Sequence, residues 1–153
     1  MPPHQIFCTI RKTWVAALPE ELIRQAWLKR MSEELNYPLN GFALEKGLHQ
    51  MPHLALSQAK LPTRRADLIF FAKDIHPHHS IYPLLLVECK AIKLNSRVIH
   101  QVVGYNFYVQ APFLAIANQN EIQWGRYNAD TKQFSFGAGL PSYQQLLQML
   151  PSF

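Results

Sequence analysis

Acidic residues are scarce in this chain: ten Asp and Glu stand against fifteen Lys and Arg in 153 residues, a net charge of +5. A surplus of that size tolerates a polyanion such as nucleic acid without demanding one. Cysteine is scarcer still. Cys8 and Cys89 make no disulfide framework, which points to free thiols in a reducing, cytoplasmic compartment. No apolar run approaches the roughly 18 residues of a membrane helix, so no membrane partner is expected. The start, Met1-Pro2-Pro3-His4-Gln5, lacks the basic-then-apolar build of a secretory signal. There is no Gly-x-x-x-x-Gly-Lys phosphate loop, which leaves the sequence without an ATP-driven motor. Repeats, low-complexity tracts and linkers are missing too. With 48% hydrophobic residues the chain can bury a real core, and residues 1–153 are expected to form one domain with its core over about 18–127.

Several elements are legible. Pro19 suits the first position of a helix, Glu20 and Glu21 suit its positive end, and 22–35 carries good helix formers before Asn36-Tyr37-Pro38 stops it. Strands are expected at 42–48, 66–71 and 83–90, with a Pro- and His-spotted loop between the first two. Asn95 or Ser96 can cap a second helix reaching about residue 108. Strands follow at 113–117 and 122–127, and a closing helix at 143–150. The order helix, three strands, helix, two strands, helix predicts an α/β fold with a mixed central sheet flanked by helices. The helix between the third and fourth strands permits a parallel crossover.

With so few acids, their placement is informative. Asp67 opens the apolar run Leu68-Ile69-Phe70-Phe71 and Glu88 closes the run Leu84-Leu85-Leu86-Val87. A carboxylate there costs desolvation unless something compensates. If the two strands pair antiparallel with Asp67 opposite Glu88, Phe71 falls opposite Leu84 and 72–83 becomes the connecting loop. The two carboxylates then stand about 5 Å apart at their Cα atoms. Lys90 shares the face of Glu88, because residues two apart in a strand point the same way. Such a trio can hold a hard cation, Mg²⁺ or Mn²⁺, and orient a water for attack on a phosphodiester. The plainer reading is a buried salt bridge of Glu88 or Asp67 with Lys90, Arg64 or Arg65.

Asp67 followed by Glu88-Cys89-Lys90 resembles the PD-(D/E)xK nuclease motif, with Ala66 where the motif name has proline. The wider pattern is similar to the N-terminal nuclease domain of type I restriction enzyme R subunits. The matching stretches are Pro19-Glu20-Glu21-Leu22-Ile23-Arg24-Gln25, Arg65-Ala66-Asp67, 84–90 and Ala111-Pro112-Phe113-Leu114, with Gln101-Val102-Val103-Gly104-Tyr105 similar to the QxxxY motif of that branch. The resemblance implies a restriction-endonuclease-like core and a Mg²⁺-dependent DNA nuclease without its motor, working on DNA with a second copy or a separate restriction-system subunit as partner. It implies Asp67 and Glu88 as metal ligands, the Cys89 carbonyl as a third, and Lys90 acting on water and phosphate. Gln101 and Tyr105, four apart on one helical face, would hold the lysine or a phosphate. Arg24, Arg64, Arg65 and Arg97 are candidate phosphate contacts. The competing expectation is a binding module that grips DNA or a partner and turns over little.

The resemblance implies an acidic site residue from the first helix. On a helical wheel Glu20 falls on the apolar stripe of Ile23, Trp27 and Met31, so Glu20 is expected to point at the Asp67–Glu88 pair, directly or through a metal-bound water, and Glu21 towards solvent. The run His76-Pro77-His78-His79 reads as a solvated loop and not as a metal cluster. Glu45 follows Phe42-Ala43-Leu44 and could approach the site or pair with a nearby base.

Overall fold

A computed structural model describes residues 4–57 and 60–153. Residues 1–3, where the signal-peptide reading falls, and 58–59 of the expected loop lie outside the described residues. The elements are β1 (Gln5–Cys8), β2 (Thr13–Ala16), α1 (Pro19–Glu33), β3 (Phe42–Gly47), β4 (Arg65–His76), β5 (His79–Cys89), α2 (Ser96–Val109), β6 (Phe113–Ala117), β7 (Ile122–Asn128), β8 (Gln133–Ala138) and α3 (Tyr143–Gln148). Strands β3 to β8 form one six-stranded sheet in chain order. Among the described residues only the β5–β6 pair is parallel, as a helical crossover through α2 requires. The N-terminal hairpin β1–β2 is a separate two-stranded sheet.

Helices cover both faces of the large sheet. Ile23, Trp27, Leu28 and Met31 of α1 pack with Leu146 of α3 against Leu68, Phe70, Leu85 and Val87. Val98, Val102, Tyr105 and Val109 of α2 pack against Ile69, Leu86, Leu114 and Ile116 on the other face. The alternation along β4 and β5 thus feeds two cores, which explains why their sequences read as nearly unbroken apolar runs. The ends are capped as their residues dictate. Asn95 Oδ1 accepts from the Val98 N–H to start α2, and Asn36, with φ +64, ends α1 in the left-handed conformation.

Four expectations need correction. The hairpin β1–β2 and strand β8 were not legible, because their short runs are mixed in character and largely exposed. Residues 72–83 are not a loop: β4 and β5 continue past them to a tight turn at Pro77 and His78. The pairing Leu68↔Val87, Ile69↔Leu86 and Phe70↔Leu85 follows the expected register, but Phe71 then pairs with Pro83 and not with Leu84. Proline cannot donate to the ladder, and a bulge at this step absorbs it. The histidines at the turn are not free in solvent either. The His76 ring stacks on Tyr82 at 4.4 Å between centroids and meets His79 at 4.9 Å.

A close approach at one glycine makes the packing testable. A Cβ on Gly41 would come within 2.3 Å of the Phe70 ring and 2.8 Å of the Phe71 carbonyl oxygen. Phe70 is 2% exposed and wedged between Tyr37 and Phe42, so it cannot withdraw. Gly41→Ala is expected to cost about 1–3 kcal/mol through overpacking, read as a lower midpoint in urea with unchanged slope.

Candidate active site

The site lies where β4 begins and β5 ends. Asp67 and Glu88 follow the Leu68↔Val87 pair at this end of the ladder. Glu88 shares the face of Leu86, on the α2 side, whereas Asp67 lines a cavity on the α1 side beside Arg24 and Cys89. The Cys89 N–H donates to Asp67 Oδ2 at 3.0 Å. Glu88 Oε1 takes the Arg64 guanidinium at 2.8 Å and Lys90 Nζ at 3.5 Å. Among the described residues, Asp67 Oδ1 and Glu88 Oε2 have no protein hydrogen bond or ion pair.

The electrostatics follow from this layout. Burial is the largest influence on both carboxyls and pushes each above its usual range. Asp67 adds like-charge repulsion to Glu88, while Arg64 and Lys90 oppose it. Two carboxylates that resist ionising side by side, each with an oxygen to spare, suit a divalent cation. Among the described residues no three His, Cys, Asp or Glu side chains converge on one metal position. A Mg²⁺ held by Asp67 and Glu88 would therefore complete its shell with a backbone carbonyl and water, a shell that ion commonly adopts.

α2 reaches the site through Arg64. The Tyr105 hydroxyl donates to the Arg64 carbonyl at 2.9 Å, and the Arg64 guanidinium lies 4.9 Å above the Tyr105 ring. Burial pushes the Tyr105 hydroxyl up to about 12, so it stays protonated. The expected hold of Tyr105 on Lys90 is corrected accordingly: its proton goes to Arg64, and its influence on the site runs through that residue. Gln101 is exposed, and among the described residues its side chain makes no hydrogen bond. Arg65 and Arg97 are exposed and free of ion pairs among the described residues.

On the α1 side a cavity of about 500 Å³ is lined by Glu20, Glu21, Arg24, Glu45 and Asp67 among others. Here the wheel argument for the two glutamates is overturned. Glu21 is the buried one, at 7% exposure, and Glu20 is exposed. Glu20 still rims the cavity, and its charge raises Asp67. A carboxylate is expelled from an apolar stripe unless a cation meets it, and the cations are at Glu21. Arg24 grips it through Nε at 3.0 Å and Nη2 at 2.7 Å, Arg11 adds Nη2 at 2.5 Å, and Gln25 donates at 3.2 Å. Arg24 is itself buried and sends Nη1 to the Asp67 carbonyl at 3.1 Å. Its donors are committed to protein, which removes it as a phosphate contact. Arg11 lies before the first predicted helix, where no sequence signal tied it to the site.

The Glu21 cluster has a pH signature. Burial opposes its charge, but Arg24, Arg11 and Gln25 outweigh burial and hold Glu21 down at about 2. A carboxylate depressed in the folded state stabilises the fold above its unfolded value, and that stability is lost as pH falls towards the folded value. Wild type is therefore expected to lose stability between roughly pH 4.5 and pH 2 through this group. Glu21→Gln flattens that limb of a melting-temperature profile and lowers the plateau at neutral pH.

Both cysteines are free and buried. Among the described residues no helix is long and apolar enough to cross a membrane. Searches of curated proteins and of solved structures returned no match. The family model described as the type I restriction enzyme R protein N terminus matches residues 19–141, which hold α1, the whole six-stranded sheet, α2 and both carboxylates. By that match, which spans most of its length, this chain belongs to the family of type I restriction enzyme R protein N-terminal domains.

Proposed function

We propose that this protein is the nuclease module of a restriction system, a Mg²⁺-dependent deoxyribonuclease that hydrolyses a phosphodiester bond at Asp67, Glu88 and Lys90. The observation that carries this is the Asp67–Glu88 pair, two carboxyls raised by burial at one sheet end with Lys90 on the face of Glu88. Asp67 and Glu88, helped by the Cys89 carbonyl, would hold the ion, which supplies charge neutralisation and an acidified water. Lys90 is one-quarter exposed, so its ammonium can reach past Glu88 to orient the attacking water and to donate to a non-bridging phosphoryl oxygen. The water oxygen bonds to phosphorus and gives its proton to solvent, as one P–O ester bond breaks and its electron pair leaves on the sugar oxygen, which takes a proton from solvent. Arg64, Arg65 and Arg97 supply cationic surface for flanking phosphates. Glu20 stands at the cavity rim within electrostatic reach of Asp67, positioned to take a hydrogen bond from a water between them.

Nicking of supercoiled plasmid tests the reading: cleavage in Mg²⁺ that stops with EDTA supports it, and equal cleavage in both, or none, overturns it. A second reading rests on the Arg64–Glu88 contact, which is a short ion pair as well as a step in a site. As a binding module the chain retards plasmid without nicking it. DNA and the other restriction-system subunits are the partners that the family suggests.

Tyr105 supplies a graded test. Tyr105→Phe removes one hydrogen bond to the Arg64 carbonyl and keeps the ring beneath the guanidinium. The expected loss is about tenfold in kcat/KM, carried mostly by KM if Arg64 meets the DNA.

A further inference from the structure

An ion-pair chain, buried at Glu21 and Arg24 and exposed at Glu45, runs from the N-terminal hairpin to the backbone of Asp67. Arg11 sits in the β1–β2 turn, where its N–H and Nε both donate to Cys8 Sγ at 3.3 and 3.4 Å. Its two terminal nitrogens divide: Nη2 meets Glu21 and Nη1 meets Glu45 Oε2 at 3.7 Å. Arg24 stands between the same two acids, close to Glu21 and looser to Glu45 Oε1 at 3.5 Å. Two arginines thus balance two glutamates.

Glu45 is in an uncommon backbone state. It has φ +50, and the β3–β4 ladder skips it, pairing Leu44 with Leu68 and Lys46 with Ala66. A side chain with a Cβ avoids that region unless the surroundings enforce it. The departure breaks the strand's alternation, and the Glu45 carboxylate meets Arg11 and Arg24 on the α1 side of the sheet. Glu45 therefore competes with Glu21 and with the Asp67 carbonyl for one guanidinium. The Arg24 Nη2 that faces Glu45 and the Nη1 that holds Asp67 belong to the same rigid plane, so a closer grip by Glu45 turns the plane and draws Nη1 away.

We propose that Arg11 is a positioning residue for the site, engaging Glu45 so that Arg24 keeps its hold on the Asp67 carbonyl. The inference rests on the nuclease reading for its consequence and on the ion-pair geometry for its cause. Arg11 lies outside the matched residues 19–141.

The test is a cycle of Arg11→Met, Glu45→Gln and the double variant, read by plasmid nicking, by Mn²⁺ affinity from electron paramagnetic resonance, and by amide hydrogen exchange of residues 66–68. Arg11→Met is expected to lower the nicking rate about tenfold, weaken Mn²⁺ and speed exchange at the start of β4. Glu45→Gln removes the competitor, so the double variant recovers to within about threefold of wild type. An Arg11 that only fastens the hairpin would not be rescued by a change at Glu45, and absence of rescue overturns the inference. Should Arg11→Met fail to fold, Arg11→Lys keeps a cation for Glu45 without the fork and is expected to fall between the two. If wild type neither nicks nor binds Mn²⁺, the nuclease reading fails alone. The exchange data then decide the positioning role: faster exchange in Arg11→Met, restored in the double variant, supports it, and unchanged exchange overturns it.

Discussion

Asp67→Ala and Glu88→Ala are each expected to lower DNA cleavage by roughly a thousandfold or more, equivalent to about 4 kcal/mol of lost transition-state stabilisation. The size follows from the proposed work of these groups, since a cation with one carboxylate left has neither its affinity nor its position. Asp67→Asn separates this from damage to the fold. The amide oxygen can still accept from the Cys89 N–H, while the charge that burial disfavours is gone. A carboxyl raised in the folded state costs stability once the pH exceeds its unfolded value, so neutralising it is expected to raise the melting temperature at pH 7 while abolishing cleavage. Mg²⁺ should stabilise wild type and leave Asp67→Asn unmoved, by about 2.7 kcal/mol at a hundredfold excess over Kd. Cleavage by all variants at the wild-type rate would sink the enzyme reading. A fall in melting temperature for Asp67→Asn would contradict the electrostatic account.

Lys90→Ala is expected to lower kcat by a hundredfold to a thousandfold while Mn²⁺ affinity and KM stay near wild type. Lys90 touches Glu88 at 3.5 Å, a loose contact, and Arg64 at 2.8 Å remains to compensate the carboxylate. The metal ligands therefore keep their arrangement when the ammonium is removed. What is lost is a donor to water and phosphoryl oxygen, an interaction made most strongly in the transition state. Lys90→Arg should not restore the rate, because a planar fork does not occupy the place of a point charge. A loss seen in Mn²⁺ binding instead of kcat would assign Lys90 to shaping the carboxylates.

The residues themselves determined the strand pair that carries the carboxylates, the crossover helix and the family. Asp67 and Glu88 stand out because each interrupts an apolar run, and the period of two along a strand assigns Lys90 to the face of Glu88. These are local rules, and local rules are readable in one dimension. Short exposed segments such as β1, β2 and β8 carry no comparable pattern, because packing and pairing with distant strands, not propensity, hold them in place.

Tertiary structure alone decided who satisfies whom. A helical wheel ranks Glu20 and Glu21 by their apolar neighbours, yet burial of a carboxylate depends on where cations arrive from elsewhere. Arg11 comes from a hairpin and Arg24 from one turn further along α1, and both meet Glu21. Arg24 stands three residues from Glu21, a spacing that places the two on one helical face, but its hold on the Asp67 carbonyl needed the third dimension. Tyr105 likewise serves Arg64, a residue far away in sequence. Partners drawn from distant segments are chosen by spatial proximity under the cost of burying an unpaired group, and no local spacing encodes that choice.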